Sequence, residues 1–324
     1  MRDNATASDI EKSTFAVATV TTAAREFADT ASQTFGSEAE IYHATVAGIH
    51  RLCAAMLKAE AAGASPEQLR EAVEPARALH SQSPFVNRLQ TWPRGYAGDF
   101  ETIEYICDGQ PKLPTGSVAH AIEIHTLRDI SSQQHRNKVA WQAKLMLEAV
   151  LARSDARVLS IACGGARDLD SIQHLVAGRG ARFFLNDMDA DALALAQRRL
   201  GSLSAEVECL PGDVFSAVRG FRKLAPLDLV VAGGLFDYLT DRQIGWLLEK
   251  LWPLMREGGR ICFTNLAVGN PDRIWLQYIA NWQIIERSEA HMRELAGSLT
   301  PAPSAILTKR ETTGLTLLTE VRRG

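Results

Sequence analysis

The chain has 324 residues, and 46% of them are hydrophobic, which is enough apolar material for one large or two smaller packed domains. Its formal net charge of -3 at pH 7 excludes the strongly basic surface of a typical nucleic-acid-binding protein. No segment is apolar over the ~20 residues that a bilayer span needs, and the first residues, MRDNATASDIEKS, lack the basic and apolar parts of a secretory signal. We therefore expect neither nucleic acid nor a membrane as a partner.

The cysteines are widely spaced along the chain. They form neither a CxxC pair nor the even number of a disulfide framework, and they are Cys53, Cys107, Cys163, Cys209 and Cys262. We interpret them as reduced thiols, which predicts a cytoplasmic protein, and we expect no metal site.

Helical periodicity dominates the first half of the chain. Segments rich in Ala, Glu and Gln predict helices over residues 8–35, 38–62, 66–80 and 117–152. Ser65 followed by Pro66 is a helix start, because the hydroxyl caps free amides and proline suits the first turn. The pattern predicts an all-helical N-terminal domain or lid over residues 1–154.

A loop of unusual composition interrupts these helices, in the stretch FVNRLQTWPRGYAGDFETIEYI. Pro93, Gly95 and Gly98 break regular structure there, and Asp99 is placed to cap the helix that follows. A connector whose aromatic side chains pack beneath the helices explains the same composition without any ligand.

From residue 155 onward the pattern changes to short apolar runs separated by helices, which is typical of parallel strands joined by crossovers. The runs predict strands over 157–162, 182–186, 206–210, 227–232 and 260–265. The last two runs, SAILTKRE and LTLLTEVRR, are separated by Thr-Thr-Gly and predict an antiparallel hairpin. We therefore predict an α/β, Rossmann-like domain over 155–324 with a seven-stranded sheet.

The first strand leads into a turn of small residues, in ARVLSIACGGARDLD. Small residues allow close approach of a ligand to the backbone, and the next helix offers unpaired amides. This pattern predicts a nucleotide-like cofactor beside the turn, although a tight strand-to-helix turn also explains it. The candidate binding residues are Ala162, Cys163, Gly164, Gly165 and Asp168.

Acidic residues follow the second and third strands. Asp187, with Met188 after it, lies about twenty residues past the glycines, where a carboxylate can accept hydrogen bonds from both ribose hydroxyls of an adenosine. Asp213 in PGDVF is placed to accept from an adenine amino group while Val214 covers the ring. That second acid favours S-adenosylmethionine (SAM) over NAD. The alternatives are a helix cap for the first acid and a turn aspartate for the second.

The fourth strand is followed by VVAGGLFDYLTD. Gly233 opens the chain beside the cofactor, and Phe236, Asp237 and Tyr238 are available to face a reacting group. A glycine-containing turn, a ribose acid, an adenine acid, a site after the fourth strand and a terminal hairpin follow one another in the order of a class I SAM-dependent methyltransferase. We therefore expect S-adenosyl-L-methionine as the cofactor and a small-molecule substrate.

Several stretches resemble a bacterial branch of this superfamily. SIACGGARDLD, WPRGYAGDFETI, QHRNK, GGLFDYL and NPDRIWLQYIANWQIIERS are similar to it. The branch includes 3-hydroxypalmitate methyl ester biosynthesis methyltransferases and azetidine-2-carboxylate synthases. The likeness begins near residue 85, and the chain departs from it at Ala162, where glycine is usual. The resemblance implies a SAM pocket and leaves open whether the methyl carbon or the γ-carbon of the aminobutyrate chain is attacked.

The two reactions require different partners. Methyl transfer to a carboxylate, hydroxyl or amine, in secondary metabolism or signalling, needs alignment and, for the last two acceptors, a base. Cyclisation of SAM to azetidine-2-carboxylate, with release of methylthioadenosine, needs a bent aminobutyrate chain and aromatic faces near the positive charge. The candidate bases are His125, His135, Asp237 and Tyr238. The candidate aromatic residues are Tyr96, Phe236, Tyr238, Tyr278 and Trp282.

The remaining candidates are charged or amide side chains. Arg94, Arg128 and Arg136 are candidates for the carboxylate of the methionine moiety, and Asn137 for its amine. Trp275, Tyr278 and Trp282 share one helix face, a pattern that usually belongs to a core. An NAD-dependent dehydrogenase and a non-catalytic protein are the alternative classes, and the first helices either cover the pocket or form homodimer contacts.

Overall fold

The computed structural model of the protein describes residues 7–203 and 206–324. The helices, in chain order, are α1 (Ala7–Asp29), α2 (Glu38–Ala61), α3 (Pro66–Ala72), α4 (Glu74–His80), α5 (Pro84–Thr91), α6 (Phe100–Asp108), α7 (Val118–Arg128), α8 (Ile130–Ala152), α9 (Arg167–Val176), α10 (Ala190–Arg199), α11 (Val214–Ala217), α12 (Asp241–Leu251), α13 (Arg273–Tyr278) and α14 (Glu289–Gly297). The strands are β1 (Arg157–Ile161), β2 (Arg182–Asp187), β3 (Val207–Pro211), β4 (Leu227–Ala232), β5 (Met255–Leu266), β6 (Ala305–Arg310) and β7 (Thr316–Arg322). In the described part of the chain, no helix is both long and apolar enough to cross a membrane.

The chain folds into two compact units. The helical unit comprises the described residues up to Ser132 together with Pro271–Gln283, and the sheet unit comprises Gln133–Asn270 and Ile284–Gly324. The sequence pattern placed the change near residue 155 instead. The difference comes from α8, because its Trp141 and Met146 are buried in the same core as β1.

Some predicted helices are shorter than expected or are divided. The helix predicted over 8–35 ends at Asp29, where a 3-10 turn follows. The helix predicted over 66–80 is interrupted at Val73, since Pro75 has no N–H to continue it. The helix predicted over 117–152 is interrupted at Asp129, whose backbone is extended.

The predicted helix starts at Ser65 and Asp99 are confirmed. The Ser65 hydroxyl accepts from the Gln68 N–H at 3.2 Å, and the Gln68 side chain accepts from the Ser65 N–H at 2.8 Å. Asp99 Oδ1 accepts from the Thr102 N–H at 2.9 Å. The loop predicted in the stretch FVNRLQTWPRGYAGDFETIEYI is shorter than expected. Ser83 starts α5, so the connector to α6 covers only residues 92–99.

The sheet unit contains the predicted seven-stranded sheet, with strand order β3-β2-β1-β4-β5-β7-β6. The first five strands are parallel, and β7 runs antiparallel between β5 and β6. This is the Rossmann-like sheet of class I methyltransferases, as predicted. β5 begins earlier than expected, at Met255, and a register shift opposite Leu227 and Leu229 accommodates its first residues.

Two apolar cores cover the two faces of the sheet. Val158 and Leu159 point to opposite faces, as successive residues of a strand must, and they belong to different cores. Helices α12 and α14 contribute to the core that holds Leu159, and α8, α9 and α10 to the one that holds Val158. Since both faces are covered, the carboxyl edge of the sheet is left for a ligand.

Candidate cofactor-binding site

The turn after β1 is held in a left-handed conformation. Ala162, Gly164 and Ala166 have φ values of 49°, 54° and 52°. The Cys163 N–H donates to the Asn186 carbonyl at 3.1 Å, and the Ala166 N–H donates to the Cys163 carbonyl at 3.1 Å. The turn therefore brings the backbone of the predicted cofactor loop against the end of β2.

Left-handed backbone strains a residue that carries a Cβ atom, so Ala162→Gly is expected to stabilise the protein. Relief of about 1–2 kcal/mol of strain exceeds the ~0.4–1 kcal/mol lost to the freer unfolded chain. The expected gain in the free energy of unfolding is up to about 1.6 kcal/mol, measured by urea denaturation. Ala140→Gly, at an exposed position of α8, should lose roughly 0.5–1 kcal/mol. Equal losses in the two variants would contradict the strain.

Asp187 ends β2 and joins it to this turn. Its Oδ2 accepts from the Gly164 N–H at 2.8 Å, and its Oδ1 accepts from the Asp189 N–H at 2.9 Å. Burial raises the pKa of the Asp187 carboxyl, and the two backbone donors oppose that shift. A carboxylate offers about four lone-pair positions, so roughly two remain for the hydroxyls of a ribose.

Asp213 follows β3, the strand beside β2. It caps α11 by accepting from the Phe215 N–H at 2.8 Å, and it remains exposed, whereas Val214 is buried. Asn186 fixes this turn, because its amide donates to the carbonyls of Leu210 and Gly212 at 2.8 and 2.9 Å. Sequence reasoning missed Asn186, although a polar residue near the end of a buried strand is a usable signal.

The other residues predicted around the turn differ in exposure. Met188 is 62% exposed, so it is available to cover a flat ring. The Gly165 carbonyl accepts from Arg199 at 2.7 Å. Burial raises the pKa of Asp168 to about 6 and that of the Cys163 thiol well above its usual range, so that thiol is not a ready nucleophile.

The turn after β4 holds a buried carboxylate. Asp237 accepts from the Leu266 N–H at 2.6 Å, and its Oδ2 lies 3.4 Å from Lys138 Nζ. Burial raises the pKa of Asp237, and Lys138 opposes that shift. Phe236 is fully buried, with its ring 4.5 Å from that of Phe263, whereas Tyr238 is 40% exposed. Of the residues predicted to face a reacting group, Tyr238 is the one open to a ligand.

The part of α8 that belongs to the sheet unit begins at the same edge of the sheet. Asn137 donates to Glu311 Oε2 at 2.6 Å and to Thr312 Oγ1 at 2.9 Å, in the turn between β6 and β7. Arg136 donates to Gln133 Oε1 at 3.0 Å. Burial, reinforced by the positive charges of Lys138 and Arg136, lowers the pKa of His135 well below its usual value, so His135 is neutral near pH 7. A Cβ atom at Gly233 would lie 2.2 Å from Gln142 Nε2, so this glycine permits the approach of α8.

The other predicted residues belong to the helical unit. Arg94 pairs with Glu101 at 3.3 Å, and its guanidinium lies 4.8 Å from the Phe100 ring centre. Tyr278 is 1% exposed, with its hydroxyl 3.5 Å from Glu60. The remaining predicted residues of the helical unit that are buried or partly buried are Tyr96, His125, Trp275 and Trp282. Arg128, in the same unit, is exposed. Tyr278 and Trp282 are buried, as in a core, but the predicted shared helix face is wrong, because α13 ends at Tyr278 and Trp282 lies beyond it.

Burial also affects His125. Its pKa is lowered, chiefly by burial and then by His50, whose ring centre is 6.1 Å away.

The structure brings together one group of the predicted site residues and separates another. The candidates at residues 162–165, 187–188, 213–214 and 233–238 lie at one edge of the sheet unit. The arginine, tyrosine and tryptophan candidates from 94, 96, 278 and 282 lie in the other unit.

No protein-family model and no curated protein matches the chain. Among solved structures, it is similar to a possible exported protein from Bordetella parapertussis, with 14% identity, 98% of this chain and 99% of that chain covered, and a TM-score of 0.56. It is also similar to magnesium protoporphyrin IX methyltransferase from Synechocystis with bound S-adenosylhomocysteine, with 13% identity, 60% and 88% coverage and a TM-score of 0.44. A third is the N-methyltransferase NodS from Bradyrhizobium japonicum, with 16% identity, 58% and 87% coverage and a TM-score of 0.42. At these identities, the full-length likeness to the Bordetella protein shows a shared fold.

Proposed function

We propose that the protein is an enzyme that binds SAM at the carboxyl edge of its sheet and transfers the methyl group to a small molecule. The observation that carries the proposal is the placement of Asp187 and Asp213 at the ends of adjacent strands, beside the left-handed turn at 162–166. Bound SAM supplies an electrophilic methyl group on a positively charged sulfur.

The residues present fit the adenosine part of this cofactor. Asp187 retains acceptor capacity toward ribose hydroxyls, and the exposed Asp213 carboxylate suits an adenine amino group. Met188, directly after Asp187, offers an exposed apolar side chain for contact with a flat ring. An NAD site fits less well, because the first turn reads ACGGAR and lacks the GxGxxG pattern that carries a pyrophosphate.

Methyl transfer is preferred to cyclisation because cyclisation needs aromatic faces around the positive charge, and few of the candidates offer one. Phe236 is fully buried against Phe263, and Tyr278 is buried with its hydroxyl toward Glu60, which leaves Tyr238 as the one exposed aromatic candidate of the sheet unit. A carboxylate acceptor needs no base. For a hydroxyl or amine acceptor we assign the contact to the exposed Tyr238, since Asp237 is held by Lys138 and by the Leu266 N–H.

The location of the protein is proposed from its thiols. None of the five cysteines forms a disulfide in the structure, and disulfides are rare in reducing compartments. We therefore propose that the protein acts in the cytoplasm on a small-molecule substrate.

Incubation of the purified protein with SAM, alone and with pools of small carboxylic acids, alcohols and amines, tests the reaction. S-adenosylhomocysteine that accumulates only with an acceptor is the expected result, detected by mass spectrometry. Methylthioadenosine formed without acceptor would replace methyl transfer by ring closure to azetidine-2-carboxylate. Absence of SAM binding in calorimetry would overturn both reactions.

A further inference from the structure

Lys138 is a buried ammonium with few hydrogen-bond partners. Its side chain is 3% exposed, and within the described residues its Nζ has one acceptor, Asp237 Oδ2 at 3.4 Å. An ammonium has three donors, and buried donors without acceptors are costly. One long contact therefore leaves most of the hydrogen-bonding capacity of Lys138 unused.

The position of Lys138 can be derived from its own helix. Gln142, one turn later on the same face of α8, contacts the chain at Gly233, directly after β4. Asp237 is four residues beyond Gly233, and its other oxygen is bound to the Leu266 N–H at the end of β5. The Lys138 ammonium thus lies above the carboxyl end of β4.

That point is next to the place where strand order reverses. β1 lies between β2 and β4, and a ligand of such a sheet occupies the crevice above the carboxyl ends at the reversal. Asp187 and Asp213 place adenosine over β2 and β3 in the proposed function. The aminobutyrate chain of the same molecule would then extend over β1 toward β4, where Lys138 is.

We propose that Lys138, held in place by Asp237, binds the carboxylate of the aminobutyrate chain of SAM. This inference rests on the proposed function, and it assigns a role to a residue that sequence reasoning passed over in favour of Arg94 and Arg136. The carboxylate supplies the acceptors that the buried ammonium lacks, and charge-assisted hydrogen bonds of this kind are the strong ones. Asp237 acts as the positioning residue, since it touches Lys138 and the backbone.

Calorimetric titration of the Lys138→Met variant with two nucleosides tests the assignment. S-adenosylhomocysteine carries the carboxylate, and methylthioadenosine lacks the entire aminobutyrate chain. We expect a loss of about 10- to 100-fold in affinity for S-adenosylhomocysteine, and less than about threefold for methylthioadenosine. Lys144→Met, on an exposed position of the same helix, should change neither affinity.

Methylthioadenosine affinity also reports whether the Lys138→Met protein is folded. Should removal of the buried charge unfold the protein, Lys138→Met with Asp237→Asn removes both charges, and the same selectivity loss is expected. Equal losses for both nucleosides, or no loss for either, would overturn the assignment to Lys138 while the SAM site stands. Failure of the parent protein to bind either nucleoside would overturn the proposed function itself.

Discussion

Asp187→Ala is expected to weaken the binding of S-adenosylhomocysteine by at least about 100-fold. The carboxylate would make two charge-assisted hydrogen bonds to ribose hydroxyls, each contributing roughly 1.5–3 kcal/mol. The same substitution removes the acceptor for the N–H groups of Gly164 and Asp189, so the turn after β1 also loses its anchor. The affinity should be measured by calorimetry, with circular dichroism to confirm that the variant is folded.

Two further variants sharpen this result. Asp187→Asn keeps one carbonyl acceptor and should lose less affinity than Asp187→Ala. Asp191→Ala changes an exposed acid four residues later, at the start of α10, and should bind as the parent does. A folded Asp187→Ala protein with parental affinity for the nucleoside would exclude adenosine from this edge of the sheet.

Arg287→Met is expected to lower the free energy of unfolding by about 3–5 kcal/mol, because it leaves several buried oxygen acceptors without their donor. Arg287 is 1% exposed, and it donates to the carbonyls of Phe236 and Leu239, to Asn265 Oδ1 at 2.6 Å and to Asp241 Oδ1 at 2.9 Å. These acceptors belong to the turn after β4, to β5 and to the start of α12. The guanidinium therefore holds together the segment that carries Asp237 and Tyr238.

The loss in the free energy of unfolding should be measured by urea denaturation, followed by the circular dichroism of the β-sheet. Arg287→Lys retains the charge but not the planar guanidinium group, so its free energy of unfolding should lie between those of the parent and of Arg287→Met. Arg293→Met, whose half-exposed side chain lies 4.0 Å from Glu289 on α14, should cost less than about 1 kcal/mol. A cost for Arg287→Met no larger than that of Arg293→Met would show that the network contributes little.

Local sequence signals predicted most of the sheet unit. Apolar runs of five or six residues between turn residues located the strands, and a Thr-Thr-Gly turn located the terminal hairpin. Ser65 and Asp99 marked helix starts because a cap acts within three residues of itself. Signals of this range are read reliably from a single chain.

Pairings between distant segments were beyond such signals. Helical periodicity shows that one face of α8 is buried but not what it packs against, so its membership of the sheet unit was missed. The same limit applies to residues 271–283, which belong to the helical unit. Lys138 and Asp237 are 99 positions apart in the sequence and are brought together by the fold, and no spacing rule connects them.

The discontinuity of the helical unit has a consequence for synthesis. Arg77 donates to the carbonyls of Tyr278 and Ile279, so its guanidinium lacks these two acceptors until that segment has left the ribosome. At roughly 5–20 residues per second, the interval between Ser132 and Pro271 lasts on the order of 7–28 s. During that time the nascent helices are incomplete, and a chaperone that shields apolar surface would find its target there.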